Sequence, residues 1–265
     1  MSLRVRPIEA FNDNYIWILD DSSSRGVCVV DPGDAEPVLR LLRAEGLELS
    51  AILLTHHHAD HIGGVRQLLG FFPSATVYGP VSPKIDSVDV PLGDADVFEL
   101  LQRRFEVLTV PGHTLDHIAY FVPAMGIEEG GLLFCGDTLF AAGCGRIFEG
   151  TPEIMYHSIR KLSSLPASTL VYCAHEYTVA NLRFALAAEP HNSAIPERFA
   201  LAEETRRAGQ PTLPSTIELE LRTNPFMRCH IHVANRDIET GATDSFGKAV
   251  EVFAALRHWK DNFRS

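Results

Sequence analysis

Through the first two thirds of the chain, short apolar runs rich in β-branched and aromatic residues alternate with turn residues. They are Tyr15 to Leu19, Gly26 to Val30, Ala51 to Leu54, Thr76 to Tyr78, Phe105 to Val110, Ile118 to Val122, Leu132 to Cys135 and Leu170 to Cys173. Runs of this length bounded by Gly, Pro, Asn and Asp predict strands. Helical spacing fits Ala35 to Ala44, Ile62 to Leu69 and Glu153 to Lys161. Strands interleaved with helices predict an α/β architecture in which helices cover sheets. Beyond His175 the pattern turns helical: Thr178 to Ala188, Pro196 to Ala208, Thr216 to Arg222 and Ser245 to Asn262, with the Pro-punctuated Gln210 to Pro214 between. The expected organisation is an α/β domain over residues 1–175 and a helical domain over 176–265.

Four of these strands run directly into His or Asp: Leu54 into Thr55-His56, Val110 into Pro111-Gly112-His113, Cys135 into Gly136-Asp137, and Cys173 into Ala174-His175. A sheet edge is a rigid place from which to present chemistry. The first is the densest, with four His and one Asp in Thr55-His56-His57-His58-Ala59-Asp60-His61. Alternation along an extended strand puts His56 and His58 on one side and sends His57 elsewhere. Asp60 and His61 follow at the start of the expected helix, where Gly63 and Gly64 allow close packing. So many ionisable groups at the end of an apolar strand need a compensating partner, and imidazole with carboxylate at this spacing suits a metal ion.

Composition narrows the possibilities. With 46% hydrophobic and 22% charged residues the chain reads as globular. Its 34 acidic and 23 basic residues give a formal charge of -11 without a basic run, which argues against nucleic acid as a partner. The five cysteines are scattered and form no CxxC pair, so neither a disulfide framework nor a zinc ribbon is expected. Arg4, Arg6, Pro7 and Glu9 do not make a signal peptide, and no apolar run has bilayer-spanning length. A cytoplasmic location follows as the expectation.

Taken together, the motifs resemble the metallo-β-lactamase superfamily, and within it the glyoxalase II, or hydroxyacylglutathione hydrolase, family. The superfamily resemblance lies in Thr55 to His61. The family resemblance lies in Asn12-Asp13-Asn14-Tyr15, Pro111-Gly112-His113-Thr114, Cys135 to Phe140, Gly143 to Pro152, His175-Glu176-Tyr177-Thr178 and Asn224-Pro225-Phe226-Met227-Arg228. It extends over essentially the whole chain. The fold it implies is an αββα sandwich of two mixed sheets flanked by helices, with a C-terminal helical domain.

By position, the resemblance implies one metal held by His56, His58 and His113 and a second by Asp60, His61 and His175, with Asp137 bridging. Asp60 and Asp137 are the implied catalytic carboxylates. Two divalent ions per chain are expected, Zn2+ first, with Fe and Mn also suited to His and carboxylate donors. The implied reaction is hydrolysis of S-(2-hydroxyacyl)glutathione, typically S-D-lactoylglutathione, by a hydroxide between the metals, as part of methylglyoxal detoxification. Arg146, Phe148, Tyr177, Arg257 and Lys260 match the family's substrate-binding positions. Phe148 departs from the Tyr of some relatives and so keeps packing without a hydroxyl. A monomer free of nucleic acid and membrane is expected. The competing readings are an iron persulfide dioxygenase with a single metal, or a metal- or thiol-binding protein without catalysis.

Overall fold

The computed structural model describes residues 3–21, 25–126, 130–235 and 240–264. The chain forms two compact units: residues 1–109 with 116–136, and residues 110–115 with 137–265.

The first unit contains β1 (Arg4–Ala10), β2 (Asn14–Asp20), β3 (Gly26–Val30), α1 (Ala35–Glu45), β4 (Glu48–Leu53), α2 (Ala59–Ile62) and α3 (Val65–Phe71). It continues with β5 (Thr76–Pro80), β6 (Val90–Leu92), β7 (Val97–Leu100), β8 (Arg103–Thr109), β9 (Ile118–Val122) and β10 (Leu132–Gly136). One sheet has the order β1-β2-β3-β4-β5-β6; its first two pairings are antiparallel and its last three parallel. The strands β10-β9-β8-β7 pair antiparallel throughout. All of β2 is buried, as an interior strand covered on both faces must be.

Val38, Leu39 and Leu42 of α1 join Val65 and Leu68 of α3 over Val29, Ile52 and Val77 of the first sheet. Each such fully buried aliphatic side chain contributes about 1.5–3 kcal/mol of burial energy. Asp34 caps the start of α1 by accepting from Glu36 N, and Gly46 ends it in the left-handed conformation. Between the sheets, the buried Tyr120 donates its hydroxyl to the Leu54 carbonyl at 2.8 Å, and Phe98 stacks on both Tyr78 and Phe105. That hydrogen bond satisfies a carbonyl just beyond the end of β4, immediately before the His-rich segment.

The second unit contains β11 (Leu139–Phe140), β12 (Gly143–Cys144), α4 (Pro152–Ser163), β13 (Leu170–Cys173), α5 (Thr178–Ala188), α6 (Ala194–Arg207) and β14 (Ser215–Thr216). After these come α7 (Ile217–Thr223), a 3-10 turn (Pro225–Met227), α8 (Cys229–Asn235) and α9 (Ser245–Asn262). Thr151 caps α4 with Pro152 in its first turn, Thr216 caps α7 and Asp244 caps α9. Aromatic rings form its core, Phe226 meeting both Phe184 and Phe253 and Phe253 meeting Tyr156.

Most elements lie where the apolar pattern puts them. The helix expected over Ile62 to Leu69 is instead two short helices, with the chain passing tightly against the backbone of residues 32–35 at Gly63 and Gly64. Strand β1 is hidden in the sequence by Arg4, Arg6, Pro7 and Glu9. As an edge strand it exposes one face and needs no apolar run, and an edge tolerates proline. The short β6, β7, β11, β12 and β14 and helix α8 also carry too little periodicity to be read in advance.

Candidate metal centre

Residues 54–58 run on from β4 without regular structure, and His58 is still extended (φ -64°, ψ 145°) where it precedes α2. Alternation therefore persists past the strand. His56 Nε2 lies 3.1 Å from His58 Nδ1, while His57 turns away and places Nδ1 2.9 Å from both oxygens of Asp116. Helix α2 then presents Asp60 and His61, with His61 Nε2 3.5 Å from Asp60 Oδ2, and Asn14 Nδ2 donates to the same Asp60 oxygen at 3.1 Å.

The residue that orients this segment is Asp31, which the motif reading passes over. Its buried carboxylate accepts from Thr55 N (2.8 Å) and Thr55 Oγ1 (2.7 Å), and lies 3.0 Å from His61 Nδ1. The carboxylate places the proton of His61 on Nδ1 and leaves Nε2 as a ligand atom. Because the Thr55 hydroxyl spends its only hydrogen on Asp31, it accepts from His56 Nδ1 at 3.0 Å, so His56 also offers Nε2. The signal available in sequence was Asp31-Pro32-Gly33-Asp34 closing an apolar strand. Gly33 is required there because a Cβ would overlap the Asp60 backbone carbonyl.

In the second unit, His113 Nδ1 donates to the Arg146 carbonyl at 2.8 Å, again freeing Nε2 for ligation. That Nε2 lies 3.4 Å from Asp137 Oδ2, and His175 Nε2 lies 3.4 Å from Asp137 Oδ1. The two oxygens of one carboxylate thus each face a different imidazole. Gly145 makes this possible, since a Cβ there would overlap the Asp137 carbonyl and crowd His113.

His56, His58, Asp60 and His61 of one unit and His113, Asp137 and His175 of the other are all donors capable of joining in metal binding. The spacings within each unit fit that chemistry. Zinc bonds of about 2.0–2.1 Å in a tetrahedron separate neighbouring ligand atoms by about 3.3 Å. The hydrogen bonds on the opposite ring nitrogens of His56, His61 and His113 supply the outer support typical of metal-binding histidines. An unpaired cysteine nucleophile does not compete: burial pushes the Cys144 thiol up to about 11, against the lowering influence of Arg257, and Cys28 higher still.

Asp31→Asn is expected to weaken metal binding about 10- to 100-fold, the usual effect of losing such an outer partner. Asn tolerates the left-handed backbone found at this position (φ 53°), so folding should survive. Competition with a chromophoric chelator measures it, and wild-type affinity in the folded variant would remove Asp31 from this role.

The five residues expected to bind substrate all belong to the second unit. Tyr177 stacks on His175 with centroids 4.8 Å apart, and Phe140 meets both rings edge-on. Phe148 is exposed and edges against His113 at 5.2 Å. Arg146 is exposed, with Nε 3.7 Å from Asp261. Lys260 donates to the Ala180 carbonyl at 3.1 Å and lies over the Phe184 ring. Arg257 is held within the second unit by contacts of its own. It is buried, donates to the Cys144 carbonyl and to Asp261 (both 2.9 Å), and lies over Phe226.

Residues 11–84 and 71–175 match the metallo-β-lactamase superfamily, and residues 176–263 match the hydroxyacylglutathione hydrolase C-terminus. Among solved structures, ETHE1 from Myxococcus xanthus matches with a TM-score of 0.65 at 26% identity, covering 97% of this chain and 91% of that one. The BLEG-1 B3 metallo-β-lactamase matches with a TM-score of 0.62 at 24% identity, over 85% and 99%. The fold is therefore that of the metallo-β-lactamases, with mixed sheets, helices and a helical C-terminal domain. The hydroxyacylglutathione hydrolase of Pseudomonas aeruginosa is 52% identical over 262 residues, 98% of this chain and 100% of that protein. That of Photobacterium profundum is 49% identical over 261 residues, again 98% and 100%. The chain belongs to the hydroxyacylglutathione hydrolase family.

Proposed function

We propose that the protein hydrolyses S-(2-hydroxyacyl)glutathione thioesters, typically S-D-lactoylglutathione to D-lactate and glutathione. The observation that carries this reading is the Asp137 carboxylate, whose two oxygens each face a different histidine in a family of thioester hydrolases. In this reading His56, His58 and His113 hold one divalent ion and Asp60, His61 and His175 another, with Asp137 common to both. Two such ions supply a water of lowered pKa and a Lewis acid for the acyl oxygen. Zinc suits the donors, as do iron and manganese.

The chain's own residues orient and select. Asp31, Thr55 and the Arg146 carbonyl hold the imidazoles in one tautomer. Tyr177, stacked on His175, and Phe148, edged against His113, offer surfaces beside the metal donors for the substrate. Arg146, Arg257 and Lys260 supply positive charge for the glutathione carboxylates. In this reading residues 176–265, with Tyr177, Arg257 and Lys260, form a substrate-binding domain appended to a catalytic one, which adds Arg146 and Phe148. The departing thiolate is stable enough near neutral pH to leave without a protein acid. All five cysteines are buried and none forms a disulfide, which supports a reducing, cytoplasmic setting, and the enzyme is read as a monomer. Among the described residues, no helix is long and apolar enough to cross a membrane.

The test is turnover of S-D-lactoylglutathione by purified protein with metal counted per chain. No turnover at two equivalents of metal would sink the substrate assignment. One equivalent of iron with oxygen uptake on a glutathione persulfide would favour the dioxygenase reading instead.

Lys260→Ala is expected to raise KM for lactoylglutathione about five- to thirtyfold with kcat within a few fold, the loss of one charge-assisted contact. Burial, then the neighbouring Arg257, brings the Lys260 ammonium down to about 8. It is charged below that pH, so the wild-type KM should climb as pH rises through about 8 while that of the variant stays flat. A neutral small thioester should respond to neither change. An unaltered KM for lactoylglutathione in the variant would remove Lys260 from the substrate site.

A further inference from the structure

The segment Asn224-Pro225-Phe226-Met227-Arg228 contributes no metal donor to the proposed chemistry, yet its first residue reaches the turn that follows Asp137. Between β11 and β12, Ala142 has φ +56°, a left-handed conformation costing a non-glycine residue about 1–2 kcal/mol. Its N–H donates to Glu220 Oε2 at 2.8 Å. Asn224 Nδ2 donates to the Gly143 carbonyl at 2.9 Å, approaches the Phe140 carbonyl at 3.3 Å, and lies 2.9 Å from the same Glu220 oxygen. Its Oδ1 accepts from Phe226 N at 3.1 Å, which fixes which end of the amide faces the turn. From α5, Asn181 Nδ2 donates to the Ala141 carbonyl at 3.0 Å. Four successive residues, Phe140 to Gly143, are thus held by side chains of α5, α7 and the residue after α7.

That turn matters because of what it carries. It starts three residues after Asp137, leads through Cys144 to Gly145 beneath Asp137, and sets Phe140 edge-on to His175 and Tyr177. We infer that Asn224 and Glu220, helped by Asn181, are positioning residues: by holding Phe140–Gly143 they set the Asp137–His175 spacing and the angle of Tyr177. Rigid-body movement of the turn would change ligand geometry without removing a ligand. The inference rests on the metal reading of these donors, and not on the identity of the thioester.

Asn224→Ala should bind zinc at least tenfold more weakly in chelator competition, and at saturating metal should lose about five- to twentyfold in kcat, under conditions where circular dichroism shows it fully folded. Leu162→Ala, a core truncation in α4, serves as a control for instability alone and should keep wild-type metal affinity while its Tm falls. Adding Ala142→Gly to Asn224→Ala should recover at least threefold of the metal affinity, since glycine takes the left-handed conformation without strain. If Asn224→Ala does not fold, Asn181→Ala carries the same test with an expected loss of about fivefold. Wild-type zinc affinity and kcat in a folded Asn224 or Asn181 variant would overturn the inference, as would an equal loss in Leu162→Ala. Because the chelator titration needs no thioester, failure of the wild type to hydrolyse lactoylglutathione would sink the substrate reading alone and leave this result standing on its own.

Discussion

Asp137→Ala should lower turnover of S-D-lactoylglutathione by about a thousandfold or more, equivalent to about 4 kcal/mol of barrier. The expectation follows from its two oxygens, one 3.4 Å from His113 Nε2 and the other 3.4 Å from His175 Nε2. In the proposed two-metal site its removal would leave His113 and His175 without the carboxylate that faces both. The effect on folding should be small by comparison, because truncating a carboxylate among polar donors opens no apolar cavity. Kinetics, metal content and thermal denaturation measured together separate the two effects. A variant that keeps two metal equivalents and near-normal turnover would rule out a bridging role.

Arg198→Ala is expected to destabilise the protein by about 3–5 kcal/mol, with hardly any direct effect on donor chemistry. Arg198 pairs with Glu220, which is fully inaccessible to solvent and also accepts from Ser215 Oγ, Ala142 N and Asn224 Nδ2. Removing the guanidinium strands a charge that water cannot reach, and it also leaves the Thr223 and Ser215 hydroxyls without their arginine contact. For a chain of this size the melting temperature should fall by about 10 °C. By contrast, the half-exposed Arg6–Glu45 pair is screened by solvent, and its loss should cost under about 1 kcal/mol. Arg198→Met combined with Glu220→Gln should recover much of the loss, since neither charge is then stranded. A loss below about 1 kcal/mol in Arg198→Ala would mean that Glu220 is not held as a buried anion.

The separate fates of His56, His57 and His58 show how far local pattern reaches. Period-two alternation foresaw that His56 and His58 would approach one another and that His57 would not join them, although the strand itself stops at Leu53. Local reasoning does not reach the surroundings of Arg257. Three-residue spacing on α9 correctly groups it with Lys260, but only the packing of α9 against the 3-10 turn covers it and draws it to the Cys144 carbonyl and the Phe226 ring. A charge run on a helix has no feature in sequence that distinguishes a solvated face from a covered one.

The sequence by itself determined the strands and helices with strong apolar periodicity, the donor types and their spacing, and, through its motifs, the family. These depend on contacts within a few residues and on side-chain chemistry that context leaves unaltered. Only the tertiary structure decided which nitrogen His56, His61 and His113 offer, that Asp31 orients His61 from 30 residues away, and that Asn224 holds Gly143 from 81 residues away. A hydrogen bond between residues so far apart has no period, and each partner alone is an ordinary polar residue. It becomes visible when burial removes water and leaves each polar group one partner to find.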